Sequence, residues 1–238
     1  MNKNVIACMI VKNCEDTILA TLNFLDNYFE KVVIVYDDSV DNTGDILERY
    51  RNRFRIVYNK FVDFSQQWSF CIKLANEMDE DYLLKIDSDE VYTYTKFDKL
   101  ASLMKLNDIK GLFFSRYNLQ NDFNHYKKTG FPDSQIRLVH KSVRMNGKPV
   151  DEGFVLDGKI MGYSGCNIVH FGHVRNEKNL IQKSEDRQIF ADVDNCDGEN
   201  MKKHKHWFLY RNELWKDDVE ALPEDIKNVV EEYKGFVK

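Results

Sequence analysis

Residues 87–90 read Asp87-Ser88-Asp89-Glu90, three acids directly after the apolar run Tyr82-Leu83-Leu84-Lys85-Ile86. Carboxylates held this close repel one another unless something positive sits among them. Asp87 and Asp89 are two apart, so on extended backbone both side chains fall on one face while Glu90 points away. A divalent cation, Mg2+ or Mn2+, relieves the repulsion, because hard cations take carboxylate, water and phosphate oxygens. The plainer alternative is an Asx-type turn that bonds only local backbone. A second acidic pair, Asp37-Asp38, follows the apolar run "KVVIVY" and opens the loop Ser39-Val40-Asp41-Asn42-Thr43.

Both acidic stretches need a frame. "VIACMIV" (5–11) is a continuous apolar run, as in a parallel strand covered on both faces. Asn13 reads as an N-cap, and Ile18, Leu22, Leu25 and Phe29 follow at helical spacing. Strands are expected at 31–36, 54–59 and 81–86, with a helix from about Ser65 carrying Trp68, Cys71, Ile72, Ala75 and Met78 on one face. This alternation predicts an α/β fold, a mostly parallel sheet flanked by helices. A helix at 96–106 and strands at 111–119, 134–140 and 166–172 then add a second lobe to the same sheet. The expected organisation is 1–95 as the nucleotide-binding half, 96–200 as the acceptor-binding half of one domain, and 201–238 as a C-terminal helical appendage.

In an open parallel sheet, ligands bind beyond the carboxyl ends of the strands. Residues 12–16, 37–43 and 87–90 fall there. The first reads "VKNCEDT", with no glycine, and neither GxGxxG nor GxxxxGK[ST] occurs anywhere in the chain. A dinucleotide enzyme or a P-loop NTPase is therefore disfavoured. An acidic crevice without a glycine loop can still hold a phosphate if a divalent cation bridges the two.

Bulk composition narrows the partners. A net charge of -5 over 238 residues argues against a nucleic-acid binder. Five cysteines, an odd number and without a CxxC, suit a reduced, cytoplasmic setting. No apolar run approaches the roughly 20 residues that span a bilayer. Residues 201–216 mix lysines with aromatics. That segment either touches an anionic membrane surface at its inner face, as a peripheral contact, or packs Trp207, Phe208, Leu214 and Trp215 on the main body.

Taken together, "IVKNCEDTI", "VIVYDDSVDNTGDIL" and "YLLKIDSDE" resemble the family-2 glycosyltransferases, which have the Rossmann-like GT-A fold and carry a DxD motif. "PDSQIRLVHKSVRMNGKPVDEGF" (132–154) and "NIVHFGHVRNEKNLIQKSEDR" (167–187) resemble the same family's acceptor-side segments. The resemblance implies a metal-dependent, inverting hexosyltransferase of glycan biosynthesis. Its donor would be a nucleotide-diphosphate sugar, and its acceptor hydroxyl would belong to a saccharide, a lipid-linked glycan or a protein. By the same carry-over, Asp37 or Asp38 contacts the base or ribose, and Asp87 faces the ribose and the metal's water shell. Asp89 ligates Mn2+ or Mg2+, and His170 is either a further ligand or a core histidine donating to a backbone carbonyl. Inversion needs a carboxylate on the far face of the sugar. Glu152 is the expected base and Asp151 the reserve.

The chain also departs from the family. Trp68-Ser69 stand where a basic residue is usual, so Trp68 either stacks on the nucleotide or packs in the core. Arg137 is the best placed of Arg116, Arg137 and Lys141 to contact the diphosphate. A zinc cluster of Cys166, His170 and His173 lacks a fourth ligand. The rival functions are a sugar-nucleotide-binding module without transfer activity and, less well supported, a sugar-nucleotide pyrophosphorylase.

Overall fold

The computed structural model describes residues 1–149, 153–155, 159–188 and 207–238. Its centre is an eight-stranded sheet, built from β1 (Val5–Val11), β2 (Val32–Tyr36), β3 (Arg55–Tyr58), β4 (Tyr82–Lys85), β5 (Glu90–Tyr92), β6 (Gly111–Asn118), β8 (Asp133–His140) and β9 (Met161–His170). The strand order is β3-β2-β1-β4-β8-β6-β9-β5. β3, β2, β1 and β4 run parallel, as the alternating pattern requires. β8 pairs antiparallel with both β4 and β6, and β9 lies parallel to β6 and antiparallel to β5. Strands from both halves of the chain thus share one sheet.

Side-chain alternation along β1 supplies both faces. Val5, Ala7, Met9 and Val11 join the core beneath α1 (Ile18–Tyr28) and α2 (Thr43–Glu48), while Ile6 and Cys8 join a second core beneath α3 (Phe64–Ala75). In α1, Ile18, Leu22 and Leu25 have no exposed surface. Each contributes about 1.5–3 kcal/mol by leaving water. α3 starts where Asp63 accepts a hydrogen bond from the Gln66 N–H, a side-chain N-cap. α4 (Phe97–Leu106), which holds Phe97, Leu100 and Met104, and α7 (Glu224–Tyr233), which holds Ile226, Val230 and Tyr233, also join the first core.

Three details correct the sequence reading. Asn13 does not cap α1. It takes a left-handed backbone (φ 51°), and the helix begins at Ile18. The short strands β5, β7 (His125–Lys127) and β10 (Val219–Ala221) went unread. The last two pair into a small separate ribbon. The basic-aromatic segment contains a helix, α6 (Trp207–Trp215), and Trp215 packs against Phe131 and His173. Residues 201–206 lie outside the described residues. Among the described residues no helix is long and apolar enough to cross a membrane.

Candidate active site

The motif Ser39-Val40-Asp41-Asn42-Thr43 works on backbone. Ser39 Oγ accepts the Asn13 N–H (3.1 Å), Thr43 Oγ1 that of Cys14 (2.8 Å) and Asp41 Oδ2 that of Glu15 (3.0 Å). Three consecutive donors after β1, which have no sheet partner, are satisfied in this way. Arg175 fastens the same loop from the other side. Its side chain is 2% exposed, bonds both oxygens of Asp16 and reaches Asn13 O. Asn13 in turn donates to Asp186 on α5 (Glu177–Gln188).

The three acids separate. Ser88 and Asp89 form a turn closed by Glu90 N–H to Asp87 O (3.1 Å), so Asp87 and Asp89 do not share the face of an extended strand. Arg137 Nη2 lies 2.7 Å from Asp87 and 2.6 Å from Glu90. Glu90 therefore does not point away from Asp87; the two share Arg137, and Glu90 is fully buried behind the turn. Burial pushes the Glu90 carboxyl up to about 7 despite Arg137, and the neighbouring Asp87 charge adds to the rise. Burial also opposes Asp87's charge, but Arg137 and Lys85 outweigh it and hold that carboxyl well below the usual range. One guanidinium between two acids keeps one ionised and the other close to protonated.

Asp89 faces the other way. β5 pairs with β9 so that Glu90 is opposite His170, and the Phe171 N–H donates to Asp89 O (2.8 Å). This brings Asp89 Oδ1 to 3.3 Å from His170 Nε2, and Asp89 Oδ2 lies 3.4 Å from Lys183 Nζ. Burial works to raise the Asp89 carboxyl, and the His170 ring, Lys183 and Arg175 more than reverse it. β6 sets Asn118 opposite His170, where its Oδ1 lies 2.5 Å from Nδ1. With the amide oriented this way, Nδ1 donates to Asn118 Oδ1. Burial lowers the His170 pKa, while the Asp89 carboxylate beside Nε2 works to raise it.

These groups surround a cleft of about 280 Å3 at the carboxyl ends of β1, β2 and β4. Of the charged side chains lining it, six are Lys or Arg (Lys12, Arg116, Arg175, Lys183, Arg187, Arg211) and four are Asp (Asp37, Asp87, Asp89, Asp186). The cleft is thus more basic than the acid-rich loops alone implied, and it suits a polyanion. Of these bases, Arg175, Lys183, Arg187 and Arg211 were missed from the sequence. Lys183 and Arg187 are four apart on α5, a spacing that places them on one helix face and was the available signal.

Other expectations fare unevenly. Asp37 lines the cleft, 3.0 Å from Lys12 Nζ, and its carboxylate also accepts the Asp38 and Phe61 N–H groups. Asp38 is exposed and takes a hydrogen bond from the Tyr58 hydroxyl instead. Trp68 borders the cleft, but it is 1% exposed and Lys85 Nζ lies 4.7 Å from its ring centroid. Arg137 does not line the cleft; its guanidinium is committed to Asp87 and Glu90. Arg116 does line it, while pairing with Asp133, and Lys141 pairs with Asp81 at the surface. Asp151 and Glu152 lie outside the described residues.

Among the described residues no group of three or more His, Cys, Asp or Glu converges, so Cys166, His170 and His173 form no zinc site. A hard cation bound with a diphosphate needs fewer protein ligands, one or two carboxylates beside phosphate and water. Asp89 Oδ1 and His170 Nε2 are 3.3 Å apart, and with the ring neutral they offer an oxygen and a nitrogen donor that fit that role. Gly172 keeps this arrangement possible. A Cβ there would stand 2.4 Å from His170 Nε2 and 2.9 Å from Asp89 Oδ2.

The family model for glycosyl transferase family 2 matches residues 6–177, which takes in the 87–90 turn, β9 and Arg175. The chain belongs to glycosyl transferase family 2. Uncharacterized glycosyltransferases of Rickettsia conorii and Rickettsia felis are 24% and 25% identical to it, over 71% and 68% of this chain. The chain spans less than two thirds of these relatives, 65% and 62% of their lengths. A crystal structure of S. aureus TarS in complex with UDP-GlcNAc is 13% identical, with a TM-score of 0.48 over 88% of this chain and 72% of that one. In this family-2 chain the 87–90 turn and the His170 strand meet at one cleft, and Ser39-x-Asp41-x-Thr43 holds the loop after β1 that walls it.

Proposed function

We propose that this family-2 chain transfers a sugar from a nucleotide-diphosphate sugar to an acceptor hydroxyl, with inversion, as the resemblance implies. The observation that carries the reading is the Asp89–His170 pair, buried at the end of a basic cleft beyond the carboxyl ends of the parallel strands. Asp89 and His170 would hold Mn2+ or Mg2+, which when bound neutralises charge on the diphosphate leaving group.

The chain's own residues do the rest. Lys183, Arg187 and Arg211 line the cleft and supply fixed positive potential where the nucleoside diphosphate gathers charge. Arg137 pins Asp87 and Glu90, so the turn carrying Asp89 is held from behind. Ser39, Asp41, Thr43 and Arg175 fix the loop after β1 as one wall. Asp37, tied to Lys12 and to the Phe61 N–H, braces the niche between β2 and the Phe61–Phe64 ring pair, where we place the base and ribose. Removal of the acceptor proton is assigned to Glu152, with Asp151 as the reserve, by resemblance.

Equilibrium titration of UDP, GDP, ADP, CDP and dTDP with Mn2+ tests the reading. One diphosphate should bind at least about tenfold tighter with Mn2+ than without. Equal, metal-independent affinity for all five would contradict it. Release of nucleoside triphosphate from a sugar nucleotide plus pyrophosphate would instead indicate a pyrophosphorylase.

A further inference from the structure

Both carboxylate oxygens of Asp89 face groups of the chain itself. Oδ1 faces His170 Nε2 at 3.3 Å and Oδ2 faces Lys183 Nζ at 3.4 Å. Gly172 leaves room beside this oxygen, since a Cβ there would stand 2.9 Å from Oδ2. Asp89's side chain is 9% exposed and that of Lys183 is 21% exposed. Lys183 is held in place by its helix. Leu180 and Ser184 beside it on α5 are 3% and 1% exposed, so the helix is seated on the body with the Lys183 ammonium at the cleft.

An ammonium at Oδ2 and a divalent ion at Oδ1 draw on the charge of one carboxylate, and they repel one another if both stay close. We propose that Lys183 is a built-in counter-ion of the cation seat. Its ammonium holds Asp89 in the empty cleft, and it transfers to the phosphate oxygens when metal and diphosphate arrive together. The inference rests on reading Asp89 and His170 as that seat. It deepens the reading by making bare metal binding weak and by coupling metal and diphosphate binding reciprocally. A lysine suits this task, being a compact charge on a flexible stem.

The test uses Mn2+ alone, followed by the electron paramagnetic resonance signal of the free ion, with no nucleotide. Lys183→Met and Lys183→Gln should bind Mn2+ at least about tenfold tighter than the wild type, because a repelling charge is gone. Lys183→Arg, which keeps the charge, should stay near the wild type and decides the question together with Lys183→Gln should the Met variant fail to fold. Adding Asp89→Asn to Lys183→Gln should abolish the gain. Unchanged or weaker Mn2+ binding in both neutral variants overturns the counter-ion role, while an Asp89-dependent site in the wild type leaves the seat standing. Absence of any Asp89-dependent Mn2+ binding in every variant overturns the seat, and the counter-ion role with it.

Discussion

Asp41 Oδ2 accepts the backbone N–H of Glu15 at 3.0 Å, across 26 residues of sequence. Its other oxygen accepts the Thr43 N–H at 2.9 Å. Asp41→Ala leaves both donors without these partners, at about 1–3 kcal/mol each where they cannot reach water. The melting temperature should fall by several degrees, and nucleoside diphosphate binding should weaken as the loop after β1 loosens. Asp41→Asn, which keeps one acceptor oxygen, should recover part of both losses.

Glu90 gives a pH signature of defined sign. Its carboxyl is raised to about 7 in the folded chain, against an ordinary value of 4.5. Between those values the folded state holds more protons than the unfolded one. The stabilisation from protonated Glu90 is present below the unfolded value and is lost as pH rises through 7. Asp87 works in the opposite sense, its lowered carboxyl giving stability that is lost in acid. Glu90→Gln mimics the protonated form. Its melting temperature relative to wild type should rise by at least about 2 °C between pH 5 and pH 8. A pH-independent difference in thermal denaturation would count against this assignment.

Gly172→Ala should disturb the cleft more than the fold. The added methyl meets His170 Nε2 at 2.4 Å and must displace the ring or the backbone. Overpacking of this kind costs about 1–3 kcal/mol. Mn2+-dependent nucleotide binding should weaken more than tenfold as the Asp89–His170 pair is forced apart, checked by titration with the diphosphate that the wild type prefers.

Trp68→Phe separates core packing from base stacking. The ring is buried between α3 and the sheet, with Lys85 over one face. The substitution should lower stability by about 1–3 kcal/mol through the smaller ring, while nucleotide affinity stays within about threefold. A large loss of affinity at unchanged stability would return Trp68 to the donor site.

The parallel half of the fold was legible because its signals are local. Unbroken apolar strands and helical stripes occur in order along the first 90 residues, and the sheet follows from their alternation. The antiparallel half was read only in outline. β5 is three residues long, and its strand character comes from pairing with β9 rather than from its own periodicity. The site divides in the same way. Asp37, Asp87 and Asp89 stand out in sequence because acids follow apolar strands. Arg137 was noticed, but its partner could not be. Whether an arginine meets a diphosphate or a buried acid depends on the β4–β8 register. Lys183, Arg187 and Arg211 come from helices distant in sequence, and only the folded chain brings them to the cleft that Asp89 lines.

The role of Asp89 at the end of the basic cleft is central to the proposed transfer. It is tested most directly by incubating wild type and Asp89→Ala with Mn2+ and a panel of nucleotide sugars, and measuring nucleoside diphosphate released by slow donor hydrolysis. The wild type should release nucleoside diphosphate from one donor class, and Asp89→Ala, with its fold intact, should release it at least roughly a hundredfold more slowly. Release that is unchanged in Asp89→Ala, or no release from any donor by the wild type, would contradict it.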